Sequence, residues 1–199
     1  MNDVIKTIIE RKTIRRYRAE QITEQELDAI LEAGLYAPNA GGRQGTVIVA
    51  SQDAALNIEL GKINKSMMSA VLKQAGMSIQ MGTVSAEQPS IIDDENIKSA
   101  FYHAPTVLTI FAPKDNYNFI GDAFVAAQNI SLAAYSLGIG SCIIGRAIET
   151  FTTERGQEIQ KTWGIDGAYE AKVHIVLGYP EGGFPSKAKA RKNGRVVRV

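Results

Sequence analysis

Apolar residues at the start of the chain recur at helical spacing, with Val4, Ile5, Ile8 and Ile9 on one side of a helix. Asn2 or Asp3 can cap this helix, and the spacing predicts an end near Lys12. A second helix starts at the capping box of Thr23 and Glu26, buries Leu27, Ile30 and Leu31, and stops at Gly34 or Pro38. The period then changes: residues 46–50 are β-branched and read as a strand. Asp53 caps a helix carrying Leu56, Ile58 and Leu60, after which the pattern weakens, so residues 64–99 read as helical turns joined by loops. Residues 106–112, bounded by Pro105 and Pro113, lack polar alternation and read as a mid-sheet strand buried on both faces.

Residues 120–137 form the strongest helical pattern, rich in alanine, with Phe124, Gln128, Leu132 and Tyr135 as larger side chains and Gly138 as the stop. So many small side chains let a neighbour approach closely, which puts this helix in the core or at a subunit interface. A short extended piece over residues 140–145 follows, then a helix with Ile159 and Trp163, and residues 173–178 read as a last core strand. The tail beyond Pro185 carries Lys187, Lys189, Arg191, Lys192, Arg195 and Arg198 around a β-capable Val196 and Val197. No repeat or linker interrupts the pattern, and residues 1–199 read as a single domain.

Charge changes this picture more than composition does. The chain holds 22 basic and 21 acidic residues, so its overall field does not attract nucleic acid or anionic lipid. A single cysteine, Cys142, excludes an internal disulfide, and with two isolated histidines it offers no zinc spacing; a cytoplasmic location is expected. No apolar run approaches the roughly 20 residues of a membrane span. Against this neutrality Arg11, Lys12, Arg15 and Arg16 crowd around Thr13. If the first helix runs that far, Arg11 and Arg15 point to one side with the Thr13 hydroxyl between them, a set that suits a phosphate monoester. A solvated basic helix end is the competing reading.

Familiar catalytic sets do not assemble. His103 and His174 have no evident nucleophile or carboxylate, and His174 alternates into an apolar strand as a structural residue would. Cys142 reads as a small buried hydrophobe. No Walker loop is present, and Gly138-Ile139-Gly140 follows a helix, whereas a dinucleotide fingerprint follows a strand. Two basic clusters at opposite ends of the chain and two glycine-rich turns remain, and they suit a phosphorylated planar cofactor that carries the reactivity itself.

The segment Arg11-Lys12-Thr13-Ile14-Arg15-Arg16-Tyr17, followed by Ala37-Pro38-Asn39-Ala40-Gly41-Gly42-Arg43-Gln44, resembles the opening of the nitroreductase family of FMN-dependent oxidoreductases. Gly121-Asp122, the helix through Ala127-Gln128-Asn129 and the turn Leu137-Gly138-Ile139-Gly140-Ser141-Cys142 are similar to that family's central helix. Leu177-Gly178-Tyr179-Pro180 and Lys189-Ala190-Arg191 are similar to its closing motif. The resemblance covers nearly the whole chain outside residues 64–99.

That resemblance implies an α+β fold, a central mixed or antiparallel sheet flanked by helices, in an intertwined homodimer with FMN at the interface. The implied cofactor-binding set is Arg11, Lys12, Thr13, Arg15, Pro38, Asn39, Ala40, Gln44, Ile144, Gly145, Lys189 and Arg191. Arg11 and Arg191 would hold the phosphate with Thr13 and Lys189. Arg15 would face flavin N1 and the C2 carbonyl and stabilise the reduced ring electrostatically, with no protein residue catalytic in its own right. Pro38, Asn39 and Ala40 would come from the partner subunit, Gln44 would lie near the pyrimidine or ribityl portion, and the backbone at Ile144 and Gly145 near N5. Lys12 and Arg16 keep the solvated reading. The sequence departs from the family where Asn39 replaces serine, Gly42 replaces asparagine and Gly45-Thr46 replaces Pro-Trp.

The implied activity takes hydride from NADH or NADPH and passes it to a nitroaromatic, quinone or similar conjugated acceptor. Two alternatives stay open: a flavin dehydrogenase that does not use nicotinamide, and a non-catalytic anion- or RNA-binding protein. Met67, Met68, Met77 and Met81 fall in the segment where the family varies its active-site cover.

Overall fold

Strand β2 (Thr106–Pro113) is buried along almost its whole length and forms the middle of the sheet together with β4 (Tyr169–Gly178). The edge strands β1 (Val47–Ser51) and β3 (Gly140–Ile144) complete a four-stranded sheet in the order β1-β2-β4-β3, with every pairing antiparallel. The structure is a computed structural model that describes residues 1–75, 96–115, 119–185 and 191–199, with the backbone alone for 68–75 and 119.

Side chains alternate across the sheet and build two cores. On one face Leu108, Ile110, Val173, Ile175 and Leu177 pack with Ile30 of α2 (Glu24–Leu35) and the alanines Ala123, Ala126, Ala127 and Ala134 of α4 (Phe119–Ser136). On the other, Val107, Phe111 and Val176 meet Leu60 of α3 (Ala54–Ala75), Phe151 of α5 (Ala147–Thr152) and Ile159 of α6 (Glu154–Thr162). A bulge between Ile110 and Phe111 shifts the register without breaking the ladder. Helix α1 (Asp3–Glu10) lies outside these layers and buries none of its residues.

Most predicted elements are present. The capping box of Thr23 and Glu26 starts α2 as expected, with the Glu26 carboxylate accepting from the Thr23 N–H at 2.8 Å. Gly138, at φ 77°, ends α4. Two predictions need correction. Helix α3 runs unbroken to Ala75, past the point where the apolar pattern fades, and the polar Asn64 at that point is buried and hydrogen-bonded. Strand β4 begins at Tyr169, four residues before the predicted start at Val173, because β2 offers ladder partners that far. The tail over 191–199 forms no strand within this chain and is exposed. Among the described residues no helix is long and apolar enough to cross a membrane.

Candidate active site

Helix α1 ends at Glu10, and Arg11 caps it in an extended conformation (φ −51°, ψ 134°), short of the predicted end near Lys12. Residues 11–18 continue as a ribbon along β3 and the end of β4. The Ile14 N–H donates to the Ser141 carbonyl at 2.9 Å, and the Arg18 N–H donates to that of Tyr179 at 2.9 Å. Arg11 and Arg15 are therefore not a helical turn apart. An extended chain has a side-chain period of two, so Arg11, Thr13 and Arg15 still fall on one side, while Ile14, 1% exposed, turns inward. Gly140 makes this close approach possible, since a Cβ there would lie 2.8 Å from Ile14.

Arg11 is half-buried, and its Nε is enclosed without a hydrogen-bond partner. Burial lowers its pKa; the Cys142 thiol acts in the opposite sense, and the charge of Arg191 lowers it again. An arginine from the far end of the chain thus stands beside Arg11, and among the described residues no carboxylate forms an ion pair with either. Lys189 lies outside the described residues. Lys12 turns its Nζ back onto the Glu10 carbonyl at 2.6 Å, and Arg16 is exposed.

Arg15 sits deeper in the same ribbon. Its guanidinium carbon is 5.8 Å from the centre of the Tyr102 ring, and the guanidinium hydrogen-bonds the Cys142 thiol. Burial pushes that thiol up to about 11 in spite of Arg15 and Arg11, so Cys142 stays protonated as a small buried group. Tyr17 closes the cluster, donating its hydroxyl to the Ile14 carbonyl.

Past the end of β3 the chain turns at Gly145 and Arg146. The Asn64 amide, fully buried, donates to the carbonyls of Gly145 (3.2 Å) and Arg146 (3.1 Å) and to the Thr150 hydroxyl (2.9 Å). Behind the turn His174 pairs with Ile144 in the ladder, shares a 2.9 Å hydrogen bond with the Thr109 hydroxyl and packs its ring against Phe101 and Phe151. Burial, aided by the charge of Arg146, depresses its pKa to about 3, so His174 is neutral and structural.

Pro38, Asn39 and Gln44 form a second group at the start of α4, around a pocket of about 130 Å³ that Asp122 and Ala126 also line. The Asp122 carboxylate accepts the Ala40 N–H with both oxygens, at 3.0 and 3.1 Å, and the Asn39 side-chain oxygen accepts the Gln44 N–H at 2.8 Å. Gln44 itself is exposed, with φ 49°. The candidate residues therefore divide in two within one chain: the 11–15 ribbon with Arg191 and the β3 turn, and the 38–44 loop. His103 is exposed. Met77, Met81 and the side chain of Met68 lie outside the described residues, and among those described no cluster could hold a metal ion.

Sequence reasoning missed Asn64, Tyr102 and Arg146, and quoted Asp122 without a role. Asn64 carried a faint signal as a polar residue in a helix that otherwise buries Leu56 and Leu60. Tyr102 and Arg146 have positive φ, which no local pattern announces.

The chain belongs to the nitroreductase family, whose family model matches residues 8–179. Two solved structures of nitroreductases with bound FMN are similar to it: one from Bacteroides fragilis, 27% identical over all of both chains with a TM-score of 0.81, and one from Desulfitobacterium hafniense, 25% identical over 100% of this chain and 99% of that one, also at 0.81. The NADPH-flavin oxidoreductase of Vibrio harveyi is 29% identical over 183 residues, 91% of this chain and 67% of that protein.

Proposed function

We propose that the protein is a homodimeric FMN oxidoreductase that takes reducing equivalents from NADH or NADPH and delivers them to a nitroaromatic, quinone or similar conjugated acceptor. The observation that carries this reading is Arg11: a half-buried guanidinium with an unsatisfied Nε, beside a second arginine and with no acid partner among the described residues. Buried charge of this kind is stable only opposite a counter-charge, and a phosphate monoester supplies one with several acceptor oxygens. The relatives support the rest, since two of them bind FMN and a third is named for NADPH and flavin.

The residues present fit the cofactor. Arg11 and Arg191 would hold the phosphate with Thr13, and Lys12, already bonded to the Glu10 carbonyl, would take no part. Arg15, braced by Tyr102 and Cys142, places positive charge at the pyrimidine edge of the ring, where reduction builds negative charge. The Ile144–Gly145 backbone, held from behind by Asn64, would face the N5 edge. FMN supplies the hydride chemistry, and the protein supplies position and field.

Pro38, Asn39 and Ala40, tied to α4 through Asp122, would reach the ring of the other subunit, with Gln44 near its pyrimidine or ribityl portion. The exposed apolar row of Val4, Ile5, Ile8 and Ile9, with Ile120, Phe124 and Val125 on α4, is the surface that a second copy covers. Anaerobic mixing of the FMN-loaded enzyme with NADH or NADPH tests the activity: the flavin absorbance bleaches with one or both. No bleaching with either defeats the reading.

A further inference from the structure

Arg146 is left over once phosphate, pyrimidine edge and N5 have been given to other groups. Its backbone is left-handed (φ 62°, ψ 30°), a conformation that a residue with a β-carbon adopts only when its surroundings impose it. Asn64 imposes it, by holding the carbonyls of both Gly145 and Arg146. The side chain so aimed is half-buried, its Nε enclosed without a partner. Glu149 is near enough to act on it electrostatically but does not reach ion-pair distance, and burial outweighs that carboxylate, so the Arg146 pKa is lowered.

Besides buried His174, Tyr102 also feels this charge, and Tyr102 is the ring beneath Arg15. Tyr102 and His103 themselves carry positive φ values of 53° and 55°, so this aromatic side chain too is held in a specified place. One aromatic ring thus lies beneath Arg15 and within electrostatic reach of Arg146, beside the turn assigned to the N5 edge. Arg15 belongs to the flavin, whereas Arg146 has no assigned counter-charge.

We propose that Arg146 is an anion subsite for the molecule that enters the site alongside the flavin, binding a carboxylate or phosphate attached to a flat conjugated ring. The inference rests on the reading of the site as an FMN site, and it makes anionic aromatics the preferred class of substrate. A carboxylate on the acceptor and a phosphate on the nicotinamide donor offer the same chemistry to a guanidinium.

Titration of the oxidised, FMN-loaded enzyme with benzoate, benzamide and nicotinamide mononucleotide, read as perturbation of the flavin absorbance, tests this. Benzoate binds wild type about tenfold or more tighter than its neutral isostere benzamide, as one charge-assisted contact implies. R146N, whose asparagine tolerates the left-handed backbone, abolishes that preference, and R146K retains part of it. Loss confined to the mononucleotide assigns the subsite to the donor's phosphate; loss confined to benzoate assigns it to the acceptor. Unchanged binding of both anions in R146N, or benzamide weakened as much as benzoate, overturns the proposal. Wild type that takes up no FMN fails the underlying reading instead, so the two failures are distinct.

Discussion

His174 cannot be charged where it stands. It is fully buried between Phe101 and Phe151, and its pKa falls to about 3 from an ordinary 6.5. The unfolded chain binds a proton near pH 6.5 and the folded chain does not until near pH 3. The stabilisation from keeping His174 neutral is therefore complete above 6.5 and lost as the pH falls toward 3. Between pH 7.5 and 5 this one residue removes about 2 kcal/mol of unfolding free energy. Urea unfolding at the two pH values measures it, and H174Q flattens the dependence by that amount; an identical slope in both proteins contradicts the account. His174 and Cys142 were legible as structural because each sits in an apolar strand. Arg146 and Tyr102 were not, since their importance comes from backbone conformations fixed by residues distant in sequence, Asn64 in the case of Arg146.

Elements place the arginines more than local propensity does. The first helix was legible from its apolar spacing, but not its early stop, because the ribbon after it is held by hydrogen bonds to Ser141 and Tyr179 from elements over a hundred residues away. Helix α3 was lost halfway along for a similar reason: Asn64 is buried and its amide nitrogen bonds the turn after β3 and the Thr150 hydroxyl, which an apolar pattern does not count. Strand β2 was read correctly, down to its place mid-sheet, because continuous apolar residues between two prolines admit few alternatives. The ribbon's dependence on Gly140 can be tested directly. G140A puts a methyl 2.8 Å from Ile14 and costs roughly 1–3 kcal/mol by overpacking, loosening FMN by displacing Arg11 and Arg15. G167A, with nothing within 4 Å of the added carbon, changes neither. Thermal melts and FMN titrations of both variants check this, and FMN affinity in G140A equal to that in G167A goes against it.

At the scale of the whole molecule, a chain of nearly balanced charge gathers arginines from both ends at one edge of its sheet. The family was legible in the order of several weak motifs, and the family model agrees over residues 8–179. The separation of the candidate residues into two groups in space was not legible from their spacing, because distance in sequence does not say which residues the fold brings together. The exposed apolar row on α1 is the surface that the proposed second copy would cover, since a monomer leaves the row in water. The claim on which the account turns is that Arg11 and Arg191 exist to hold a phosphate. Paired titrations of the apoprotein with FMN and with riboflavin, which lacks the phosphate, test it most directly. FMN is expected to bind wild type roughly a hundredfold or more tighter than riboflavin, with R11A closing most of that gap. Equal binding of the two flavins, or a ratio that survives R11A, would contradict it.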